Sequence, residues 1–181
     1  PFRDGASNSI VVFNGEIYNY RAIARELELI IVDEENAEAQ VLAALIHRYG
    51  PSGTRQLRGM YAFAVLQGTR LVLGRDRMGI KPMFYAELQG EVAFGSEIKA
   101  ILRHPSCNVA LDEQALDEIA VFGYVASDTK TPFLSIRQVP PGCVVWFDRN
   151  ASAAERYWSP APAFLAANDP DLSDMSSSLY E

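Results

Sequence analysis

The amino-acid sequence predicts an α+β fold, and three observations carry that expectation. Two amphipathic helical runs stand together near the N-terminus, and short β-branched and aromatic runs then follow one another without crossover helices. The third is composition: of 181 residues 49% are hydrophobic and 22% charged, the balance of a water-soluble packed core. Unbroken apolar runs, such as 10–13 and 144–147, are strand-sized and fall far short of the roughly 18 residues of a spanning helix, so no membrane partner is expected. With 23 acidic against 16 basic side chains the formal charge is −7, which opposes a phosphate backbone and argues against nucleic acid.

The elements follow in order. Residues 9–13 are β-branched and aromatic and lead into Asn14-Gly15, which predicts a buried strand ending in a turn. Over 18–29 a helix is expected, because Tyr20, Ile23, Ala24 and Leu27, with Ile31 beyond, share one stripe while Arg21, Arg25, Glu26 and Glu28 lie elsewhere. Asp33, Glu34 and Glu35 precede a second helix whose apolar face is Val41, Leu42, Leu45, Ile46 and Tyr49. Negative charge before a helix start is favourable by roughly 0.3–1 kcal/mol, and Gly50-Pro51 stops the helix.

From Met60 the texture changes to strands. Runs 61–66 and 71–74 flank Gln67-Gly68 as a hairpin, and 83–85 and 92–94 flank Gln89-Gly90. Adjacent strands of this kind pair antiparallel most economically. Residues 96–102 read as a short helix with Ser96 as N-cap, and 112–124 as another helix with Leu116, Ile119, Ala120 and Gly123 on one side. Pro140-Pro141-Gly142 turns the chain into a strand over 144–147, and the sequence beyond Trp158 has linker composition.

Cys107 and Cys143 form neither a disulfide framework nor a zinc spacing, which fits a reducing cytoplasm. His47 and His104 do not stand at ligand spacing, and surface positions are expected for both. The opening Pro1-Phe2-Arg3 has no initiator methionine and none of the parts of a signal peptide, so a processed, truncated or incompletely represented chain is expected. No phosphate-cradling glycine loop or dinucleotide fingerprint occurs.

Two stretches could carry chemistry. At Asn14-Gly15-Glu16 the glycine permits positive φ and close approach to a ligand, and the asparagine offers an amide donor, so together they could form an oxyanion hole; a plain polar turn is the other reading. In the charged stretch 74–82, Arg75 or Lys81 could meet an anion. The structural reading is preferred there, with Asp76 paired to a neighbouring arginine in a turn shaped by Gly79 and Pro82.

Four segments in this order, 13–20, 57–64, 74–82 and 94–100, resemble the glutaminase domain of glutamine-hydrolysing asparagine synthetases. Segments 131–133, 139–142 and 156–158 resemble the exit from that domain toward its synthetase half. Phe13 before Asn14-Gly15 and Glu16-Ile17-Tyr18 after it fit this branch better than amidotransferases acting on phosphoribosyl pyrophosphate or fructose 6-phosphate. The resemblance implies an N-terminal-nucleophile hydrolase fold, an αββα sandwich of two antiparallel sheets flanked by helices.

It also implies a class II glutamine amidotransferase domain over 1–158 and, over 159–181, a linker or the start of the synthetase half. In that family an N-terminal cysteine attacks the glutamine carboxamide, and ammonia passes to an aspartyl-adenylate. By match, Asn14 and Gly15 form the oxyanion hole and Glu16 helps hold the glutamine α-amino group. Counting back from Tyr49-Gly50 places Glu38 where the family has a second substrate-reading aspartate and Gln40 at a family glutamate; Asn36 is the alternative if a gap is allowed. The nucleophile and the carboxylate-gripping loop are expected before Pro1, so these 181 residues alone are expected to be inactive.

No cofactor or metal is expected in this domain, with ATP and magnesium in the synthetase half. The expected partners are glutamine and that half, a homodimer being compatible, in a cytoplasmic enzyme of asparagine biosynthesis. A non-catalytic domain of the same fold and a β-lactam-synthetase-like relative are the alternatives.

Overall fold

In the computed structural model, residues 1–149 and 151–160 are described. The first strands are β1 (Phe2–Asp4) and β2 (Ser9–Ile17), followed by helices α1 (Tyr20–Glu26) and α2 (Ala37–Tyr49). Strands β3 (Gly59–Gln67), β4 (Arg70–Arg75), β5 (Phe84–Leu88) and β6 (Glu91–Gly95) come next, then α3 (Ile98–Ile101) and α4 (Glu113–Phe122). Strands β7 (Arg137–Gln138), β8 (Cys143–Asp148) and β9 (Ala151–Arg156) complete the described chain. One sheet has the order β1-β2-β3-β4-β8-β9 and the other β6-β5-β7, and the strand pairings within both are antiparallel.

Side-chain alternation along β3 builds the layers. Tyr61, Phe63 and Val65 point to α1 and α2, where they pack with Ile23, Val41, Leu42, Leu45 and Ile46. Ala62 and Ala64 point the other way and, with Leu73, Val145 and Phe147, meet Met83, Tyr85 and Val139 at the second sheet. Beyond that sheet Ala86, Leu88 and Ile136 pack on Ile101 of α3. Helices, sheet, sheet, helix is the αββα sandwich expected from the motifs.

A polar post runs through this core. The Tyr157 hydroxyl donates to the Arg75 carbonyl at 2.6 Å and accepts from the Tyr61 hydroxyl at 2.9 Å. Burial pushes the Tyr61 hydroxyl up to about 12, and burial with the neighbouring Tyr61 pushes Tyr157 upward too. An unfolded tyrosine releases its proton near pH 10, whereas the folded Tyr61 keeps its own, so the contribution is whole below about pH 10 and is lost as pH rises toward 12. Urea unfolding from pH 9 to 12 should show this fall, and Tyr61→Phe should make it shallower.

Several local expectations are corrected. β2 does not stop at Phe13 but continues through Asn14 and Gly15 to Ile17, so there is no turn at Asn14-Gly15. α1 is shorter than 18–29 because the chain turns at Glu28, whose φ is 53°. The residue capping α3 is Glu97 and not Ser96. Of the predicted stripe on α4, Leu116, Ala120 and Gly123 are exposed, and Ala115 is the residue of that helix that is buried. The expected linker 159–181 lies, from residue 161 on, outside the described residues.

Candidate active site

The C-terminal end of β2 gathers the residues singled out by sequence. Gly15 has φ 135°, and a Cβ there would come within 2.0 Å of the Met60 carbonyl oxygen on β3. Gly59 answers it from the other strand, with φ 149° and a Cβ position 2.1 Å from the Glu16 carbonyl oxygen. Each glycine therefore admits the partner strand's backbone, which is why β2 and β3 can close here and why any side chain at Gly15 is strained. The positive φ expected at Gly15 is present; the group that approaches it is the Met60 carbonyl.

Asn14 and Glu16 lie on the same face of β2 as Ile10 and Val12, because strand residues alternate. Ile10 and Val12, but not Asn14 and Glu16, border a cavity of about 510 Å³ between the sheets, closed by Ala64 and Leu66 on one side and Val92 and Phe94 of β6 on the other. Both Asn14 and Glu16 are exposed. The Asn14 amide Nδ2 donates to Ser96 Oγ at 3.4 Å, joining the end of β2 to the segment before α3. Sequence reasoning missed this use of Ser96, since a hydroxyl before a helix reads first as a cap.

Glu38 sits in the first turn of α2, and its Oε1 accepts from the Ile17 backbone N–H at 2.7 Å. The helix start is thereby tied to β2 at the residue after Glu16, bringing the two carboxylate-bearing segments together. Asn36 is engaged elsewhere: its Nδ2 donates to Asp33 Oδ2 at 2.8 Å within the turn that Asp33 caps. Gln40 is buried and folds the preceding loop onto α2, accepting from Val32 N–H and donating to the Asp33 carbonyl. Asn19, also missed, clamps the opposite loop by donating to the Gln56 carbonyl and accepting from Arg58 N–H.

The charged stretch 74–82 is structural, but its partners differ from those expected. Asp76 is fully buried and accepts from the backbone N–H groups of Tyr61, Met78, Ile80 and Lys81 at 2.9 to 3.3 Å, in place of an arginine. Arg75 donates to the carbonyls of Gly79, Lys81 and Val139, and burial holds its guanidinium below the usual range. That guanidinium is used to fasten loops.

Neither cysteine has the environment of a nucleophile. Cys143 is buried between the sheets, where burial pushes its thiol up, and Cys107 lies against Ser135 Oγ at 3.7 Å. His47 is exposed as expected, while His104 is half-buried with Nε2 3.3 Å from Glu91. Among the described residues no group of three or more His, Cys, Asp and Glu side chains could hold a metal, and no helix is long and apolar enough to cross a membrane.

Comparisons with known proteins show the family. Residues 1–158 match the glutamine amidotransferase domain family, and the chain belongs to that family. It is similar to "Asparagine synthetase [glutamine-hydrolyzing] 3" of Bacillus subtilis (strain 168), 32% identical over 152 residues, 82% of this chain and 25% of the relative. A putative asparagine synthetase [glutamine-hydrolyzing] of Mycobacterium bovis is 33% identical over 174 residues, 90% of this chain and 26% of the relative. The chain thus spans about a quarter of these curated relatives. Among solved structures, the glutamine phosphoribosylpyrophosphate amidotransferase from B. subtilis superposes with a TM-score of 0.57 at 21% identity, over 87% of this chain and 31% of that one, which shows the shared fold.

Proposed function

We propose that this domain, in its full-length polypeptide, hydrolyses glutamine and supplies the ammonia for ATP-dependent amidation of aspartate. The observation that carries the reading is the convergence of Asn14, Gly15, Glu16 and Glu38 at the C-terminal end of β2. In this reading the Asn14 amide and the Gly15 N–H receive the oxyanion, and Glu16 with the Glu38 segment faces the glutamine ammonium. The proposal assigns the nucleophilic cysteine to a segment preceding Pro1 in the full-length polypeptide. It assigns ATP and magnesium to the synthetase half.

The chemistry needs little from this chain beyond positioning. Attack on the carboxamide carbon moves charge onto the carbonyl oxygen, and fixed donors that meet that oxygen lower the barrier because they bind the transition state more strongly than the substrate. A carboxylate facing the ammonium holds substrate in both states alike, so its effect falls on KM. Glu16→Ala should accordingly raise the glutamine KM by tenfold or more, about 1.4 kcal/mol per factor of ten, while ammonia-dependent amidation is unchanged. Parallel assays with glutamine and with ammonium chloride check this. Equal loss of both activities would show that Glu16 serves the fold and not the substrate.

A further inference from the structure

We infer that Glu38 is a positioning residue of the proposed site: its carboxylate acts on the glutamine ammonium through Glu16, by fixing the end of β2 that carries Glu16. What Glu16 faces rests on the proposed function; what Glu38 holds is geometry. The Tyr18 N–H donates across the ladder to the Arg58 carbonyl at 2.8 Å, and in an antiparallel pair the N–H groups of successive residues alternate in direction. The Ile17 N–H therefore points away from β3. β1 pairs with Ser9–Val11 and stops short of this part of β2, so the Ile17 donor meets Glu38 Oε1 at 2.7 Å in place of a neighbouring strand.

One peptide unit is thereby held from both sides. The Glu16 carbonyl belongs to the same planar unit as the Ile17 N–H and points the opposite way, toward Gly59, where a Cβ would stand 2.1 Å from it. Fixing the N–H fixes this carbonyl, and with it the Cα from which the Glu16 carboxylate extends. The anchor is firm, since Ile17 is fully buried and Ala37, Ala39 and Gln40, on either side of Glu38, are buried as well. Glu38 also arrives from the wrong layer to share the ammonium. Ile17 packs toward the helices with Val41, Leu42 and Leu45, so by strand alternation Glu16 and Asn14 extend from the other face of β2, while Glu38 reaches the strand from the helix side. The Glu38 segment thus contributes to the site through the backbone, by a charge-assisted hydrogen bond of the kind worth about tenfold or more in an equilibrium.

The test compares Glu38→Ala and Glu38→Gln in the full-length polypeptide, by glutamine kinetics and by amide hydrogen exchange of the peptide containing Ile17. Glu38→Ala should raise the glutamine KM about tenfold with a much smaller change in kcat, and should speed exchange at Ile17 by about the same factor. The glutamine side chain keeps an oxygen that can accept the Ile17 N–H but carries no charge, so Glu38→Gln should recover most of both losses. In a Glu16→Ala background, Glu38→Ala should add about twofold or less to KM, because the residue it positions is gone. A KM as damaged in Glu38→Gln as in Glu38→Ala, with Ile17 still protected, would make the charge itself the substrate contact and overturn the inference. An equal loss of ammonia-dependent amidation in Glu38→Ala would overturn it as well, since Glu38 would then serve the whole fold. A parental glutamine KM in Glu16→Ala, or no glutamine turnover by the parent, removes the functional reading instead; faster Ile17 exchange in Glu38→Ala then keeps the tie between Glu38 and β2, and unchanged exchange overturns that too.

Discussion

Replacing Asn14 by alanine in the full-length polypeptide is expected to lower kcat for glutamine by about 10²–10³-fold, the loss usual for one oxyanion-hole donor. The expectation follows from where the amide stands. Asn14 is exposed at the end of β2, its Nδ2 reaches Ser96 Oγ at a long 3.4 Å, and the neighbouring Gly15 is committed to a close approach of β3. Little of the fold depends on the Asn14 side chain, so the variant should melt within a degree or two of the parent, a shift worth well under 1 kcal/mol for a domain of this size. KM should move little and ammonia-dependent amidation should survive. A matched fall in melting temperature and in both activities would instead mean that Asn14 shapes the backbone.

The second large effect is on stability. Asp76→Asn should cost about 3–5 kcal/mol in urea unfolding, since two of the four N–H groups that converge on the carboxylate would face an amide NH₂. Oδ1 accepts from Met78 and Ile80 and Oδ2 from Tyr61 and Lys81, so neither orientation of an asparagine satisfies all four. The same residue ties three segments through its backbone, accepting from Gly79 and Gly142 N–H and donating to the Tyr61 carbonyl. A cost below about 1 kcal/mol, the range of an ordinary surface change, would contradict this view of Asp76.

Much of the fold was legible because its signals are local. The β3–β4 and β5–β6 hairpins follow from short apolar runs around Gln67-Gly68 and Gln89-Gly90, and the α2 face follows from Val41, Leu42, Leu45 and Ile46. What failed depends on distant partners. Asn14-Gly15 reads as a turn until Gly59 is known to oppose it, and nothing local in 14–15 encodes a partner glycine on another strand. β9 has alanines, a serine and charges in place of β-branched residues, since this exposed edge needs only backbone pairing with β8.

The candidate site shows the same division. Asn14, Gly15 and Glu16 stand out as a contiguous motif, and Glu38 could be reached only by counting from a helix end. The structure sets Glu38 against the Ile17 N–H and turns Asn36 toward Asp33, a choice made by how α2 packs on β2. Asp76 was read correctly as structural but with the wrong partner, because a ring of backbone N–H groups leaves no trace in side-chain chemistry. On α4 the periodicity predicted a stripe through Leu116, Ala120 and Gly123, yet these are exposed and Ala115 is the buried residue, because the packing partner of a short helix is not encoded in the helix.

The central claim is that this domain strips the amide nitrogen from glutamine and delivers it to a synthetase partner in the same polypeptide. Incubating the full-length polypeptide with glutamine labelled with ¹⁵N at the amide, together with aspartate, ATP and magnesium, tests it most directly. The account predicts one glutamate per new amide, with the label in asparagine even when unlabelled ammonia is present in the medium at low concentration. Asparagine formed only from free ammonia, with no glutamate released, would contradict it.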